Sequence, residues 1–583
     1  MKAMPAGFQG KQASLLKATI YAQSDIYRQA IGFSFITSLL VLAPTIFMMQ
    51  VYDRVVNSRS TTTLIALLVC VMGVYLLMEV LEVVRGRLLQ QAGWRIDEAL
   101  RATLHDAAFE ASLRHGMATT QALSDLRTLR EFSASSAVTA MMDLPSSLIF
   151  LALVSLISPW LGVMSLVGAV VQVVIGYSTE KKTMPALTEA NQAAISAQGY
   201  ASGVLRNSQV ISSMGFKLPI YKIWLARQRH FLAMQAKASD TAGTNSAASK
   251  FIQTMQSSMI LGVSCWLTVK GMLLGGGGMM IVASTLGGRV LTPLVQVIAQ
   301  WRLIVNTRDA YRRLDTMLEM APQQRNAMPL PAPEGRLSVE ALVAGAPGSN
   351  LPILRGINFA LAPGETLMII GPSASGKTTL ARLLMGIWPA LSGKVRLDSA
   401  DIHAWTKSEL GPHLGYLPQN VELFEGTLAE NIARFGDIDM EQVRAATELV
   451  GLSAMAESLP QGFDTRIGED GANLSGGQRQ RVGLARAIYG NPRFILLDEP
   501  NSSLDEAGEQ ALMNTLMRLK EKKCTTIVIT HRTSVLPAAD KLLMIRDGQV
   551  AAFGPRDDVL NALRKSAAQN TAESAPQLVA GAV

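Results

Sequence analysis

Apolar residues follow two rhythms along the chain, and the change falls near residue 320. Before that point they form runs long enough to cross a membrane. A helix rising 1.5 Å per residue needs about 20 mostly apolar residues to traverse ~30 Å of hydrocarbon. Residues 31–51 and 64–84 meet that length, and the polar stretch Tyr52–Thr63 between them reads as a tight hairpin connection. The run 144–177 is too long for one crossing, and Ser158-Pro159-Trp160 near its middle divides it in two. Residues 252–269 and 279–301, separated by Gly275–Gly278, bring the expected spans to six. The polar stretches between spans two and three and between four and five keep a helical period, as in Leu123, Leu126 and Leu129, so spans two to five should continue as helices beyond the membrane.

After residue 320 the runs shorten and alternate with helical patterns, which predicts an α/β domain. Between the halves, residues 321–334 read APQQRNAMPLPAPE, a proline-rich extended linker. The expected organisation is a polar N-terminal arm (1–30), a six-helix membrane domain (31–318), a linker (319–335), an α/β domain (336–565) and a small, polar, disordered tail (566–583).

Charge sharpens this picture. The chain is 49% hydrophobic and only 17% charged, with a formal net charge of +8. Its mean hydropathy is +0.24 and its pI about 9.3. Soluble domains carry about a quarter charged residues, so the composition leans toward membrane. Twenty Lys and Arg residues lie in the N-terminal arm and in the two long stretches 85–143 and 178–250, against three (Arg54, Arg59, Lys270) in the short connections. This is the positive-inside asymmetry of an inner-membrane protein with both termini in the cytoplasm, and it leaves little reason to invoke nucleic acid. Apolar residues begin only near Ile31 and no small-residue cleavage site follows, so no signal peptide is expected. Three cysteines exclude a disulfide-stapled scaffold. Arg289, near the middle of the sixth span, and Glu79, in the second, are costly in hydrocarbon; they line a water-filled path or pair with other groups.

The candidate chemistry lies in the second half. Residues 366–370 form a strand followed by Gly371-Pro372-Ser373-Ala374-Ser375-Gly376-Lys377-Thr378-Thr379, which opens a helix. This is a P-loop, whose backbone N–H groups wrap phosphates at a helix N-terminus. Lys377 would neutralise the β/γ-phosphates of ATP, and the Thr378 hydroxyl would ligate Mg²⁺. A second buried strand, 494–498, ends in Asp498-Glu499. Asp498 should hold Mg²⁺ through water, and Glu499 should polarise the attacking water. Leu474-Ser475-Gly476-Gly477-Gln478 then opens another helix, a second anion site separate from the P-loop. One chain has no need of two γ-phosphate sites; two chains arranged head to tail do.

The P-loop, LSGGQ and ILLDEP together resemble the nucleotide-binding domain of ABC transporters. The resemblance extends to Gln419 in YLPQN, matching the Q-loop glutamine that touches Mg²⁺, to Ser503-Leu504-Asp505, matching the D-loop, and to His531 in VITHR, matching the histidine that senses the γ-phosphate. Gly468–Gly471 and Phe424–Thr427 look like exporters. The family's adenine-stacking aromatic is missing: Ala346 stands where it is expected, which implies weak discrimination between ATP and GTP.

In the membrane half, FMMQVYDRVVNSRS, MMDLP, LRNSQVISSMGF and the stretch 277–302 look like type I secretion permease/ATPases of the protease and lipase exporter branch, except that Ser146 replaces the usual Trp after DLP. The resemblance covers roughly residues 30–565. It implies a type I ABC exporter fold and a half-transporter that pairs with a second copy of itself. It also implies export of an unfolded protein bearing a C-terminal signal, with a periplasmic adaptor and an outer-membrane channel as partners. An exporter of lipid or hydrophobic small molecules would use the same ATPase, and so would a gating ATPase that transports nothing.

Overall fold

The computed structural model describes residues 15–115, 121–273, 276–319, 329–347, 349, 351–468, 471 and 473–573. The chain divides into two compact units near residue 322.

The first unit is all helical: α1 (Leu15–Tyr21), α2 (Ser24–Leu40), α3 (Leu42–Gln50), α4 (Thr61–His115), α5 (Gln121–Ser133), α6 (Ser136–Ile157), α7 (Pro159–Arg206), α8 (Lys217–Val269), α9 (Gly276–Ala299) and α10 (Trp301–Glu319). Among the described residues, five helical stretches are long and apolar enough to cross a membrane: 24–58, 61–113, 121–157, 159–206 and 278–299. The remaining expected span, 252–269, forms the end of α8 but is less apolar than the others. Its polar groups are bonded to the next helix: Gln256 Nε2 donates to the Gly287 carbonyl (3.3 Å), Gln253 Nε2 to Thr292 Oγ1 (3.1 Å), and the Ser257 carbonyl accepts from Ser284 Oγ (2.9 Å). Helices in lipid gain nothing from burying apolar surface against each other, so small residues and such bonds supply the adhesion. A Cβ at Gly168 would overlap the Gln256 amide, and one at Gly287 would lie 2.2 Å from Ile260 Cδ1.

Several sequence expectations change. Tyr52–Thr63 is not a hairpin connection over most of its length. The helix continues from α3 through a π-helical stretch, Val51–Val55, and a last turn, Val56–Ser58. Asn57 Nδ2 donates back to the Asp53 carbonyl at 3.0 Å, and Ser60 Oγ accepts from the Thr63 N–H, capping α4. The reversal therefore needs only Arg59, in the left-handed conformation at φ 51°, and Ser60. The polar arm is helical from Leu15, where Leu16 is fully buried; residues 1–14 lie outside the described residues. Breakage at Ser158-Pro159 occurs as expected: Ser158 is extended and Pro159 opens α7, where its missing N–H has no partner to lose.

Long-range polar contacts fix the bundle. Arg85 on α4, 5% exposed, donates to Ser34 Oγ on α2 (2.7 Å), to Asp143 on α6 (2.9 Å) and to Glu82 (2.6 Å). Arg313 on α10 forks onto Asp125 on α5 at 2.8 and 2.7 Å.

The second unit follows a stretch without regular structure from residue 329 to 336; residues 320–328 of the expected linker lie outside the described residues. It contains β1 (Leu337–Gly345), β2 (Pro352–Leu361), β3 (Thr366–Ile370), α11 (Lys377–Leu384), β4 (Ser392–Leu397), β5 (Ala400–Asp401), β6 (Leu414–Leu417), α12 (Met440–Leu449), α13 (Gly476–Ile488), β7 (Phe494–Asp498), α14 (Glu506–Glu521), β8 (Thr525–Ile529), β9 (Lys541–Arg546), β10 (Gln549–Pro555) and α15 (Arg556–Glu573). A six-stranded sheet runs β10-β9-β3-β8-β7-β6, and a four-stranded antiparallel sheet runs β2-β1-β4-β5. β3, β8, β7, β6 and β9 pair in parallel. The central strands read TLMII, TTIVI and FILLD, nearly unbroken apolar runs, because a parallel sheet is covered on both faces. Helix α15 runs past Lys565 to Glu573, so the first part of the expected disordered tail is helical; residues 574–583 lie outside the described residues.

Candidate functional site

β3 delivers the chain to Gly371, where a Cβ would lie 2.2 Å from the Ile545 carbonyl oxygen, so only glycine fits. Ala374 (φ 63°) and Gly376 (φ 99°) turn the loop back in the left-handed region, and α11 starts at Lys377. At Gly376 an added Cβ would also meet Leu354 Cδ2 at 2.6 Å. Lys377 Nζ donates to the carbonyls of Gly371 (2.9 Å) and Pro372 (2.8 Å), so the ammonium is held inside its own loop. Burial lowers the Lys377 pKa, against the pull of Glu499 and Asp498.

β7 pairs with β8, and Ile529 lies opposite Asp498 in the register. Asp498 is 2% exposed; burial, reinforced by Glu499, pushes its carboxyl up to about 6, while Lys377, Arg382 and a hydrogen bond with Thr378 act the other way. Its Oδ2 is buried and has no hydrogen-bond partner. A hard cation would satisfy this orphaned oxygen, and the Thr378 hydroxyl beside it is a second oxygen donor of the type magnesium takes. The arrangement fits Mg²⁺.

Glu499 takes the left-handed conformation (φ 53°), with its N–H donating to the Ile529 carbonyl at 2.9 Å. Gln419 Nε2 donates to Glu499 Oε2 at 3.1 Å, and His531 Nε2 lies 3.5 Å from Oε1. The expected catalytic pair, Glu499 and His531, and the expected metal residues Thr378, Gln419 and Asp498 thus converge on the end of β7. Together with Arg382, Tyr416 and Pro418, three of them (Thr378, Gln419 and Asp498) line a cavity of about 750 Å³.

LSGGQ opens α13. Ser475 Oγ accepts from the Gln478 N–H (3.2 Å) and Gln478 Oε1 accepts from the Ser475 N–H (2.8 Å), a capping box. With Ser475 and Gln478 occupied by each other, the N–H groups of Gly476 and Gly477 remain as first-turn donors for an anion. A Cβ at Gly477 would sit 2.9 Å from the Ser503 carbonyl oxygen, so glycine is what lets the D-loop segment approach. Leu504 is buried and Asp505 caps α14 by accepting from the Gly508 N–H at 2.9 Å. Leu474 packs at the edge of the core beneath.

One residue escaped the sequence reading. Gln480, 5% exposed, donates from Nε2 to the Glu499 carbonyl (2.9 Å) and to Ser502 Oγ (3.1 Å), and its Oε1 accepts from the Ser503 N–H (2.8 Å). The only hint was a glutamine at a position where the helix should bury apolar surface. Glu469 and Asp470, part of the exporter-like segment, lie outside the described residues.

Residues 354–502 match the ABC transporter model, and residues 29–288 match the model of the ABC transporter transmembrane region. A type I secretion system ATP-binding protein, PrsD of Rhizobium meliloti (strain 1021), is 37% identical over 90% of this chain and 91% of its own length. The chain belongs to the ABC transporters. It is a multi-pass membrane protein whose ATP-binding unit hydrolyses ATP. Leukotoxin export ATP-binding protein LtxB of Aggregatibacter actinomycetemcomitans is 26% identical over 92% of this chain and 76% of its own. An ATP-dependent lipid A-core flippase of Shewanella frigidimarina is 36% identical, but over only 42% of this chain and 41% of its own. A solved bacterial Atm1-family ABC exporter with ATP bound superposes with a TM-score of 0.82 at 22% identity, covering 95% of this chain and 99% of its own, so the fold is that of an ABC exporter.

Proposed function

We propose that this chain is one half of an ATP-driven exporter that pairs with a second copy of itself in the bacterial inner membrane. Its cargo is an unfolded protein with a C-terminal signal, and a periplasmic adaptor and an outer-membrane channel continue the route. The observation that carries the reading is the extent of likeness to the type I secretion relative, 90% of the chain, against 42% for the lipid flippase. Residues 31–318 act as the membrane domain and 336–565 as the nucleotide-binding domain.

In this reading Gly371–Thr379 cradle the phosphates of ATP, and Lys377 exchanges its two loop carbonyls for phosphate oxygens. Asp498, Thr378 and Gln419 would hold Mg²⁺, which would supply charge neutralisation for phosphoryl transfer. Glu499 accepts the proton of the attacking water, kept in line by Gln419 and His531 on either side of its carboxylate. Leu474–Gln478 and Ser503–Asp505 serve the nucleotide of the second copy, with the N–H groups of Gly476 and Gly477 facing its γ-phosphate.

The test is the ATPase rate of the detergent-solubilised dimer titrated with C-terminal peptides of candidate secreted proteins. A saturable change with one peptide, absent with its scrambled version, is expected. Stimulation by lipids or hydrophobic drugs with no response to any peptide would overturn protein export.

A further inference from the structure

Helix α9 is held in one rotational setting. Gly287 and Gly288 lie against α8, where their added Cβ atoms would come within 2.2 Å of Ile260 Cδ1 and 2.8 Å of Ser257 Oγ. The bonds from Gln256 and Gln253 to the Gly287 and Gly288 carbonyls pin the same face. With 3.6 residues per turn, Thr285, Arg289 and Gln296 fall within about a quarter of the circumference opposite Gly287, and Thr292, bonded to Gln253 of α8, marks the edge of that arc. Arg289 and Gln296 are exposed and the two threonines half-buried. The stripe buried on the other side is apolar, with Ala283, Leu286, Val290 and Leu291 in the core.

Two observations make this face incompatible with lipid. Arg289 sits at the middle of the span 278–299, and among the described residues it has no ion pair or side-chain hydrogen bond. A guanidinium at that depth belongs to a protein interior or a water-filled cavity. Separately, Pro293 lies inside the helix, and it has no N–H to offer the Arg289 carbonyl four residues before it. A carbonyl deprived of its helical donor at mid-membrane calls for water or another polar partner.

We propose that Thr285, Arg289 and Gln296 line the passage through which cargo moves, and that Arg289 binds carboxylate side chains of the extended polypeptide as they pass. The proposal rests on the protein-export reading for its cargo. A guanidinium suits this task because its fork matches a carboxylate, while water in the passage weakens the pair enough to release it. With a second copy opposite, two such arginines would favour acidic over basic segments.

Two measurements on the full dimer test it. In a Cys70→Ser, Cys265→Ser background, which leaves only the buried Cys524, single cysteines are placed as Thr285→Cys, Arg289→Cys and Gln296→Cys, with Val167→Cys on the exposed apolar face of α7 as control. A charged, water-requiring thiol reagent should label the three α9 positions about tenfold faster than the control, since thiolate forms only where water reaches. Equal, slow labelling would overturn the passage assignment whatever the cargo. In the second measurement, ATPase stimulation is titrated with a signal-bearing peptide containing a Glu-rich segment and with its Glu→Gln counterpart. Arg289→Gln should weaken the apparent affinity for the acidic peptide about tenfold and leave the neutral one unchanged, with Arg289→Lys retaining most of the preference. Equal shifts for both peptides, or none, would overturn carboxylate binding. If neither peptide alters the wild-type rate, the protein-export reading fails and carboxylate binding falls with it, while the labelling still decides whether the face is wet.

Discussion

Gln480 Nε2 reaches the Glu499 carbonyl at 2.9 Å while its Oε1 holds the Ser503 N–H at 2.8 Å. One buried amide therefore ties the helix bearing Gly476 and Gly477 to the strained turn bearing Glu499. Truncating it would orphan a buried donor and loosen the turn. Gln480→Ala should lower kcat about tenfold with KM for ATP changed less than about twofold, because geometry rather than nucleotide binding is lost. Gln480→Glu removes the Nε2 donor and faces a carboxylate against a carbonyl, so it should fall at least as far. Parental kcat in both variants would refute the link.

The Glu499 carboxylate, set between Gln419 and His531, is the general base of the proposed reaction. Glu499→Gln keeps the shape and removes the base, so hydrolysis should drop by about 10²–10⁴ while ATP stays bound. Retention of radiolabelled ATP after gel filtration, together with the steady-state rate, decides this. A parental rate would move the base elsewhere.

Asp498 carries a pH signature. Its folded pKa is raised from 3.8 to about 6 by burial and by Glu499. Between those two values the folded state keeps a proton that the unfolded state has lost, so this group's contribution to stability falls as pH rises through the window and the full penalty is present above it. Asp498→Asn should therefore raise the Tm of the nucleotide-free, magnesium-free protein at pH 7.5 and flatten the dependence across pH 4–6. Magnesium affinity should fall as pH drops below about 6, because the ion must displace that proton. Parallel melting curves for parent and variant would refute the first statement, and a magnesium affinity that does not change with pH across the same window would refute the second.

Nucleotide selectivity follows from what Ala346 cannot do. It is exposed, and no aromatic residue occurs from 339 to 353 to stack on a base. Hydrolysis of ATP and GTP by the parent should agree within about tenfold, and Ala346→Tyr should tighten ATP binding about five- to 150-fold, from roughly 1–3 kcal/mol per stacked base. An unchanged Kd would place the base elsewhere.

The geometry of the candidate nucleotide site was legible because its parts are local. A strand, a glycine-rich loop and a helix follow one another between Thr366 and Leu384, and the glycines meet a steric demand visible at Gly371 and Gly376. The meeting of Asp498 and Glu499 with the P-loop was legible because a strand ending in two carboxylates, common by itself, occurs here in the same domain as a P-loop. Gln480 was not, since its meaning lies in contacts with Glu499, Ser502 and Ser503, 19 to 23 positions away. In the membrane half, apolar length marked five of the expected spans, and the polar residues that diluted 252–269 were its adhesion to α9. The turn after α3 was misjudged because polarity was read as loop, whereas Asn57 and Ser60 used their side chains to prolong one helix and start the next.

Helix α4 also sets a mechanical scale. Its 55 residues measure about 80 Å, of which hydrocarbon can enclose only ~30 Å. The remaining 50 Å or so is a single cantilever without an internal proline. A tilt of roughly 6° at the membrane would sweep its far end through about 5 Å, one helical turn. Helix α7, 48 residues long, is interrupted by Pro185, where one backbone bond is missing. The two beams therefore differ in stiffness: under the same load α4 pivots as a unit, whereas α7 bends at a fixed point.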